Sequence, residues 1–515
     1  MKKIWSVILV VICALSMVAC TKKPTEKVIA KVIEIDLTEE QYAFGVDKNQ
    51  PELLTSVNEL IAELEETGKM EEIFDTYFGN GTPRGITSAK KDESKEQLIV
   101  ATNAAFEPFE YMKGDKFYGV DMEIAKLLAD KLGKELVIEH MDFDAVCLSV
   151  GQQQCDIAMA GLTVNEEREE FVSFSDSYYT ASQRMIVKST DTTFDECADA
   201  DAVLEILNGM STDKKIGVQR GTTGQWFVEG DEEWGFEGFS VTCNPYHNGA
   251  LAVQDMLSGN IDYVILDAAP ATVITEAINS TGLEQKLNTF LEIFFQEKGY
   301  ALVVEGLKNT LLIAVTGLLV GILIGTLIAT VRVIPKYKIL PRILNSICSF
   351  YVAVFRGTPI VVQLLVCYYV LSPLLGWGIT GLQSAMLVFG LNSGAYVSEI
   401  MRSGIQSVDK GQMEAGRAVG LSFATTMVKI VIPQAVKNIL PTLGNEFIVL
   451  VKETSVVSFV TVTDLYLGFQ SIGNSTYEYI VPYLAMAVVY IVLVLIISVL
   501  VKLMERSLNK SDRRN

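Results

Sequence analysis

Residues 156–168 read Asp-Ile-Ala-Met-Ala-Gly-Leu-Thr-Val-Asn-Glu-Glu-Arg. The apolar start, 156–159, has the length of a buried strand, and Ala160 and Gly161 end it. An arginine just beyond such a strand, here Arg168, can clamp a carboxylate with two parallel N–H donors. Outward from this stretch, strand patterns stand at 98–101, 136–140, 216–218 and 262–266, and a helical pattern at 122–132. Strands alternating with helices predict an α/β fold around parallel sheets, with ligand groups at strand ends.

A zwitterionic amino acid needs a cation for its carboxylate, an anion for its ammonium and a dry wall between them. Beside Arg168, Gly221-Thr222-Thr223-Gly224 offers backbone N–H groups and hydroxyls. Asp267 closes the strand pattern at 262–266 and suits an ammonium, while Phe106 and Phe109 supply an aromatic wall. Singly these are common residues of turns and cores. Their order carries more: "AAFEPFEY" (104–111), "YGVDMEIA" (118–125), "DFDAVCLSV" (142–150), "DIAMAGLTVNEERE" (156–169), "FSDSYY" (174–179), "GVQRGTTG" (217–224) and "DYVILDAAPA" (262–271). Together, from 97 to about 279, they resemble the bilobed polar-amino-acid binding proteins of the type II, Venus-flytrap form. The resemblance implies that Arg168, Thr163 and Thr223 hold the carboxylate, and Asp267 and the Gly161 carbonyl the ammonium. Phe106 and Phe143 then line the side chain, with Gln219 at its far end, neutral where an acidic substrate would want a cation.

Members of that family end in a segment that here is missing after Asp267. The chain runs from Pro270 and a helical pattern at 272–278 almost directly into an apolar half. The ending stands instead near the front, from Gln41-Tyr42-Ala43-Phe44-Gly45-Val46 to Tyr77-Phe78-Gly79. Pro51 opens a helix there, with Leu53, Val57, Leu60, Ile61 and Leu64 at helical spacing. Two origins fit: a circular permutation, in which 28–80 completes the lobe begun at 97, or a remnant of a preceding tandem receptor. The stretches 21–27 and 81–96 read as polar linkers, and the binding domain is expected over 97–287.

The remaining chain, 290–515, differs in kind. Stretches 310–331, 359–375, 382–397 and 480–501 are long and uncharged; another, 440–462, the fourth in chain order, is interrupted by Glu446, Lys452 and Glu453. An all-α five-span domain is expected, its basic segments 332–342, 402–437 and 502–514 all cytoplasmic and the acidic half outside. Between the third and fourth spans stand Glu414-Ala415-Gly416, Gly420, Ile430, Ile432 and Pro433. This resembles the EAA loop of binding-protein-dependent permeases in every spacing, with Gly416 and Ile432 departing from the commonest residues. The resemblance implies a short helix, a glycine turn and a second helix that dock on an ATPase through Glu414, Ala415 and Gly420. "EGLKNTLLIA", "FRGTP", "AYVSEIMRSGI" and "VKETSVVS" likewise resemble polar-amino-acid permeases. Glu399, Lys452 and Glu453 are candidates for a transport path or for snorkelling to the interface. No Gly-x-x-x-x-Gly-Lys-Ser/Thr phosphate loop occurs, so ATP is expected on a separate subunit, two copies serving a homodimer of the membrane domain.

Bulk properties agree. Residues 306–515 carry 17 Lys+Arg against 9 Asp+Glu, a balance of +8, while the first 305 carry 25 against 53, a balance of −28. So acidic a half argues against nucleic-acid binding. Lys2 and Lys3 precede an apolar run, 4–18, that ends in Leu15-Ser16-Met17-Val18-Ala19-Cys20. This resembles a lipoprotein signal over 1–20, with Cys20 the lipid site. Cys147, Cys155, Cys197 and Cys243 fall outside the cell and allow three full pairings. His140 and His247 are the two histidines, no metal-ligand spacing occurs, and neither metal nor cofactor is expected. A ligand-gated channel or an amino-acid sensor would also join such a receptor to membrane helices, but neither needs an EAA loop.

Overall fold

The computed structural model describes residues 28–79, 81–92, 94–279, 283–334, 337 and 339–512. The signal at 1–20, Cys20 and the linker at 21–27 lie outside the described residues. The chain forms two compact units: the residues up to Leu302 with Phe469–Leu484, and Val303–Gly468 with the residues from Ala485 on.

The first unit holds two five-stranded sheets. One runs Val172–Phe174, Gly45–Asp47, Ile157–Ala158, Gln97–Thr102, Glu135–His140. The other runs Ala30–Ile33, Gln183–Lys188, Tyr263–Asp267, Lys215–Gln219, Thr242–Tyr246. The expected parallel pairing holds for the last three strands of each, and the first two of each are antiparallel to their neighbours. That difference has a topological cause. The chain passes between lobes twice, through Glu40–Tyr42 and Tyr179–Ala181, which pair antiparallel as a separate ribbon, and strands arriving by such a crossing need no crossover helix.

The helix Pro51–Glu66 forms where Pro51 can sit in the first turn without losing a backbone bond. Its Leu53, Val57, Leu60, Ile61 and Leu64 are all buried, in one core with Leu98, Val100, Met122 and Leu128. Each such side chain contributes about 1.5–3 kcal/mol of burial. The stretch 81–92 is tied rather than free: Ile86 exchanges two backbone bonds with Phe117, at 2.8 and 2.9 Å, and the Ala89 N–H donates to the Leu136 carbonyl at 2.8 Å. The four cysteines left open by the sequence are free thiols; Cys147 and Cys155 are buried in one core, and Cys197 and Cys243 flank another. Tyr477 and Tyr479 join the second lobe's core, and the Tyr477 hydroxyl accepts from the Glu107 N–H at 3.1 Å.

The second unit is helical. Gly299–Val333, Ile339–Gly357 and Ile480–Arg506 are long and apolar enough to cross a membrane, and Ile360–Leu374 is a shorter apolar helix. The expected spans 310–331 and 480–501 fall within the first and third of these, and 359–375 coincides with the shorter one. The stretches 382–397 and 440–462 fall in Gly381–Gln406 and in Ile432–Glu453 with the turns that follow it. The former buries Ser384, Asn392, Ser393 and Ser398, polar groups that dilute its hydropathy. Ile339–Gly357 was not among the expected spans, because Arg342, Asn345, Ser346 and Ser349 interrupt its apolar residues.

Candidate functional site

The first unit gathers the expected site residues around the lobe crossing. Asn165 caps the short helix Glu166–Glu169 by accepting from the Arg168 N–H at 2.8 Å, which fixes where the arginine side chain begins. Its guanidinium donates to the Thr163 carbonyl at 2.7 Å and to the Gly221 carbonyl at 2.8 Å, one partner from each lobe. It lies 5.1 Å from the Phe143 ring centre and 5.4 Å from that of Trp226. Such stacking confines a planar cation without occupying all five of its donors. Thr223 opens the helix Thr223–Glu229, and its hydroxyl reaches Thr163 Oγ1 at 3.4 Å.

Asp267 ends the strand Tyr263–Asp267, is 5 % exposed and accepts from the Tyr42 hydroxyl. Burial, then the Glu40 charge beside it, pushes its carboxyl up to about 7 against the pull of the Tyr42 bond. Gly161 adopts φ +54°, and a Cβ there would stand 2.8 Å from the Phe106 ring, so a side chain would collide with the aromatic wall. The Gly161 N–H donates to Asp121 at 3.0 Å, and burial pushes Asp121 up to about 7 as well. Gln219 is buried at the end of its strand, and its carbonyl accepts from the Thr222 hydroxyl at 2.8 Å.

Four residues of this neighbourhood escaped the sequence reading: Glu40, Tyr42, Gln183 and Trp226. Glu40 is 2 % exposed; it accepts from the Thr163 hydroxyl and from the Gln183 amide, both at 2.8 Å. Its partners lie 123 and 143 residues away in the chain, so no local pattern marks it. The one available signal was its place two residues before Tyr42, in the displaced ending.

In the second unit, Asp409 caps Lys410–Ala418 through the Gly411 N–H at 2.6 Å, Gly420 turns the chain at φ +90°, and Ser422 caps Phe423–Thr426. Glu414 and Ala415 are exposed and Gly416 is buried. A Cβ at Gly416 would lie 2.4 Å from Thr426 Cγ2, so glycine makes room for a stiff β-branched neighbour on the second helix. Glu399 is held between two arginines: Arg332 pairs with one oxygen, and Arg402 reaches the other at 2.7 Å. Lys452 and Glu453 stand apart from it, at the end of Ile432–Glu453, with Lys452 exposed and Glu453 half-buried.

Residues 317–510 match the family described as binding-protein-dependent transport system inner membrane component, and residues 98–332 match the bacterial extracellular solute-binding proteins, family 3. The chain is 39% identical over 210 residues to the arginine transport system permease protein ArtQ of Bacillus subtilis (strain 168), covering 41% of this chain and 94% of ArtQ. It is 39% identical over 206 residues to the putative glutamine transport system permease protein GlnP of Rickettsia bellii (strain RML369-C), covering 40% of this chain and 92% of GlnP. An ancestral arginine-binding protein solved with arginine is 33% identical, over 35% of this chain and 74% of that one, at a TM-score of 0.30.

Proposed function

Because the chain belongs to the family of binding-protein-dependent transport system inner membrane components, we propose that it is the membrane subunit of an ATP-driven importer of a polar amino acid, with its receptor in the same chain. The observation that carries this is the joining, in one chain, of a buried polar cluster that runs from Arg168 through Thr163, Glu40 and Gln183 to Asp267, and a segment that aligns with nearly the whole of a permease. Arg168 and Thr223 take the substrate carboxylate, Asp267 and the Gly161 carbonyl the ammonium, and Phe106, Phe143 and Gln219 the side chain. Gln219 is neutral where an acidic side chain would want a cation, and relatives named for arginine and glutamine transport fit a polar, non-acidic substrate.

Residues 28–80 complete the receptor by circular permutation. Supporting this, Ala30–Ile33 and Gly45–Asp47 each add to a different sheet, and Pro51–Glu66 packs into the first lobe's core. The receptor faces outside, with Cys20 as a lipid anchor, and the C-terminus faces the cytoplasm. Two copies of the membrane domain pair, and a separate ATP-binding subunit docks on each 410–433 loop, where Glu414, Ala415 and Val419 are exposed. Glu399, with two guanidinium partners, ties Gly299–Val333 to Gly381–Gln406 rather than lining a path.

Vesicles carrying the chain and its ATP-binding subunit test this. Uptake of labelled L-arginine or L-glutamine is expected to require ATP, and Glu414→Lys is expected to stop uptake while amino-acid binding stays unchanged. Uptake in the absence of ATP, or normal uptake by Glu414→Lys, contradicts the coupling.

A further inference from the structure

We propose that Trp226 is a positioning residue of this site: from the second lobe it stacks on the Arg168 guanidinium, which Phe143 covers from the first, so that the arginine is held in place only while the lobes are closed. The proposal rests on the amino-acid reading of the cleft and adds to it a residue that governs how long a captured amino acid stays.

The guanidinium draws its contacts evenly from the two lobes. From the first come the Thr163 carbonyl at 2.7 Å and the Phe143 ring, whose centre is 5.1 Å away. From the second come the Gly221 carbonyl at 2.8 Å and the Trp226 ring, at 5.4 Å. Each ring is anchored in its own lobe. Phe143 opens the helix Phe143–Gly151 and packs against the core that holds Val146, Val150, Ala158 and Leu162. Trp226 lies on the helix Thr223–Glu229, whose Phe227 and Val228 are buried in the second lobe. It stands three residues after Thr223, on the same helix face, and Thr223 reaches across to Thr163. The lobes also touch here: a Cβ at Gly221 would stand 3.1 Å from Asp144 Oδ1 and 4.0 Å from the Phe143 ring.

Opening the cleft takes the Gly221 carbonyl and the Trp226 ring away together. Arg168 is then left with the Thr163 carbonyl and Phe143, and a long side chain so loosely held regains much of its rotamer freedom. A guanidinium is planar and weakly hydrated, so an aromatic face suits it, and the attraction grows as water leaves; Arg168 is 8 % exposed. A ligand enters the open cleft, where the stack is absent, and leaves the closed one, where the stack must break. A ring at position 226 therefore slows release and leaves association nearly as it is.

The full chain in nanodiscs tests this, titrated by calorimetry with L-arginine and with L-glutamine, and loaded with labelled amino acid that is then chased with unlabelled. Trp226→Leu keeps apolar bulk but removes the ring, and Trp226→Phe keeps a ring. Trp226→Leu is expected to weaken binding about 5- to 30-fold through faster release, with association within about threefold of the wild type. Trp226→Phe is expected to stay within about threefold in both. Equal losses in the two variants, as a merely structural contact would give, overturn the proposal. So does a Trp226→Leu that binds as the wild type does, or one whose loss lies in association. Wild-type protein that binds neither amino acid overturns the reading of the cleft itself, and this proposal with it. Should Trp226→Leu not fold, Trp226→Met is set against Trp226→Phe in its place, with the same outcomes deciding.

Discussion

The two lobes of the first unit share one plan, three parallel strands followed by two antiparallel ones, but they receive the N-terminal segment differently. In the first lobe Gly45–Asp47 lies inside the sheet, bonded on one side to Val172–Phe174 and on the other to Ile157–Ala158. In the second, Ala30–Ile33 lies at an edge and pairs only with Gln183–Lys188. The helices Pro51–Glu66 and Lys69–Phe78 bury their apolar faces in the first lobe's core alone. One short stretch of chain is therefore structural in one lobe and a border in the other. The first lobe cannot close its sheet without residues that precede it in the chain by some fifty positions.

Substitutions in the inner strand and in the edge strand test this. Val46→Asp puts a charge on a fully buried strand residue inside the first sheet. It is expected to cost about 4 kcal/mol or more, enough to unfold that lobe, and to abolish amino-acid binding. Thermal unfolding followed by circular dichroism reads it, and an unchanged transition would mean that the strand is dispensable. Ile33→Ala, at the second lobe's edge and 8 % exposed, is expected to cost only about 2 kcal/mol, the low end for such a truncation, and to leave binding measurable. Equal costs at the two positions would erase the distinction between an inner strand and a border strand.

A smaller effect probes the crossing between the lobes, where Asp267 meets Tyr42 and Glu40. A carboxyl pushed up to about 7 by burial keeps its proton in the folded state where the unfolded chain has lost it. Its contribution to stability therefore falls as pH rises from about 4 to about 7. Binding runs the other way, because a ligand ammonium wants the carboxylate ionised. Affinity is expected to rise roughly tenfold between about pH 6 and about pH 8 and to flatten above it, with the slope gone in Asp267→Asn. A flat profile in the wild type would take Asp267 out of the site.

Much of this was legible in the sequence, for identifiable reasons. The helix Pro51–Glu66 and the strands Gln97–Thr102 and Glu135–His140 announce themselves by local periodicity and by proline at a helix start. The coupling loop is written in fixed spacings, and there the structure adds why position 416 is glycine: the methyl of Thr426 occupies the space. Glu40 and Gln183 could not be read, because a buried carboxylate with partners more than a hundred residues away leaves no pattern in its own neighbourhood. Ile339–Gly357 was missed for the opposite reason. Its apolar residues are there, but Arg342, Asn345, Ser346 and Ser349 recur at helical spacing, so one polar face breaks the continuous run that a hydropathy reading needs.

Titration of the full chain in nanodiscs with L-arginine and with L-glutamine, in the wild type and in Arg168→Glu, tests the central claim most directly. The wild type is expected to bind at least one of the two at micromolar concentration or below. Arg168→Glu, which replaces two donors between the lobes with an anion, is expected to weaken that binding by about 100-fold or more. Binding of neither amino acid by the wild type, or unchanged affinity in Arg168→Glu, would contradict the assignment of this cleft as the receptor of an amino-acid importer.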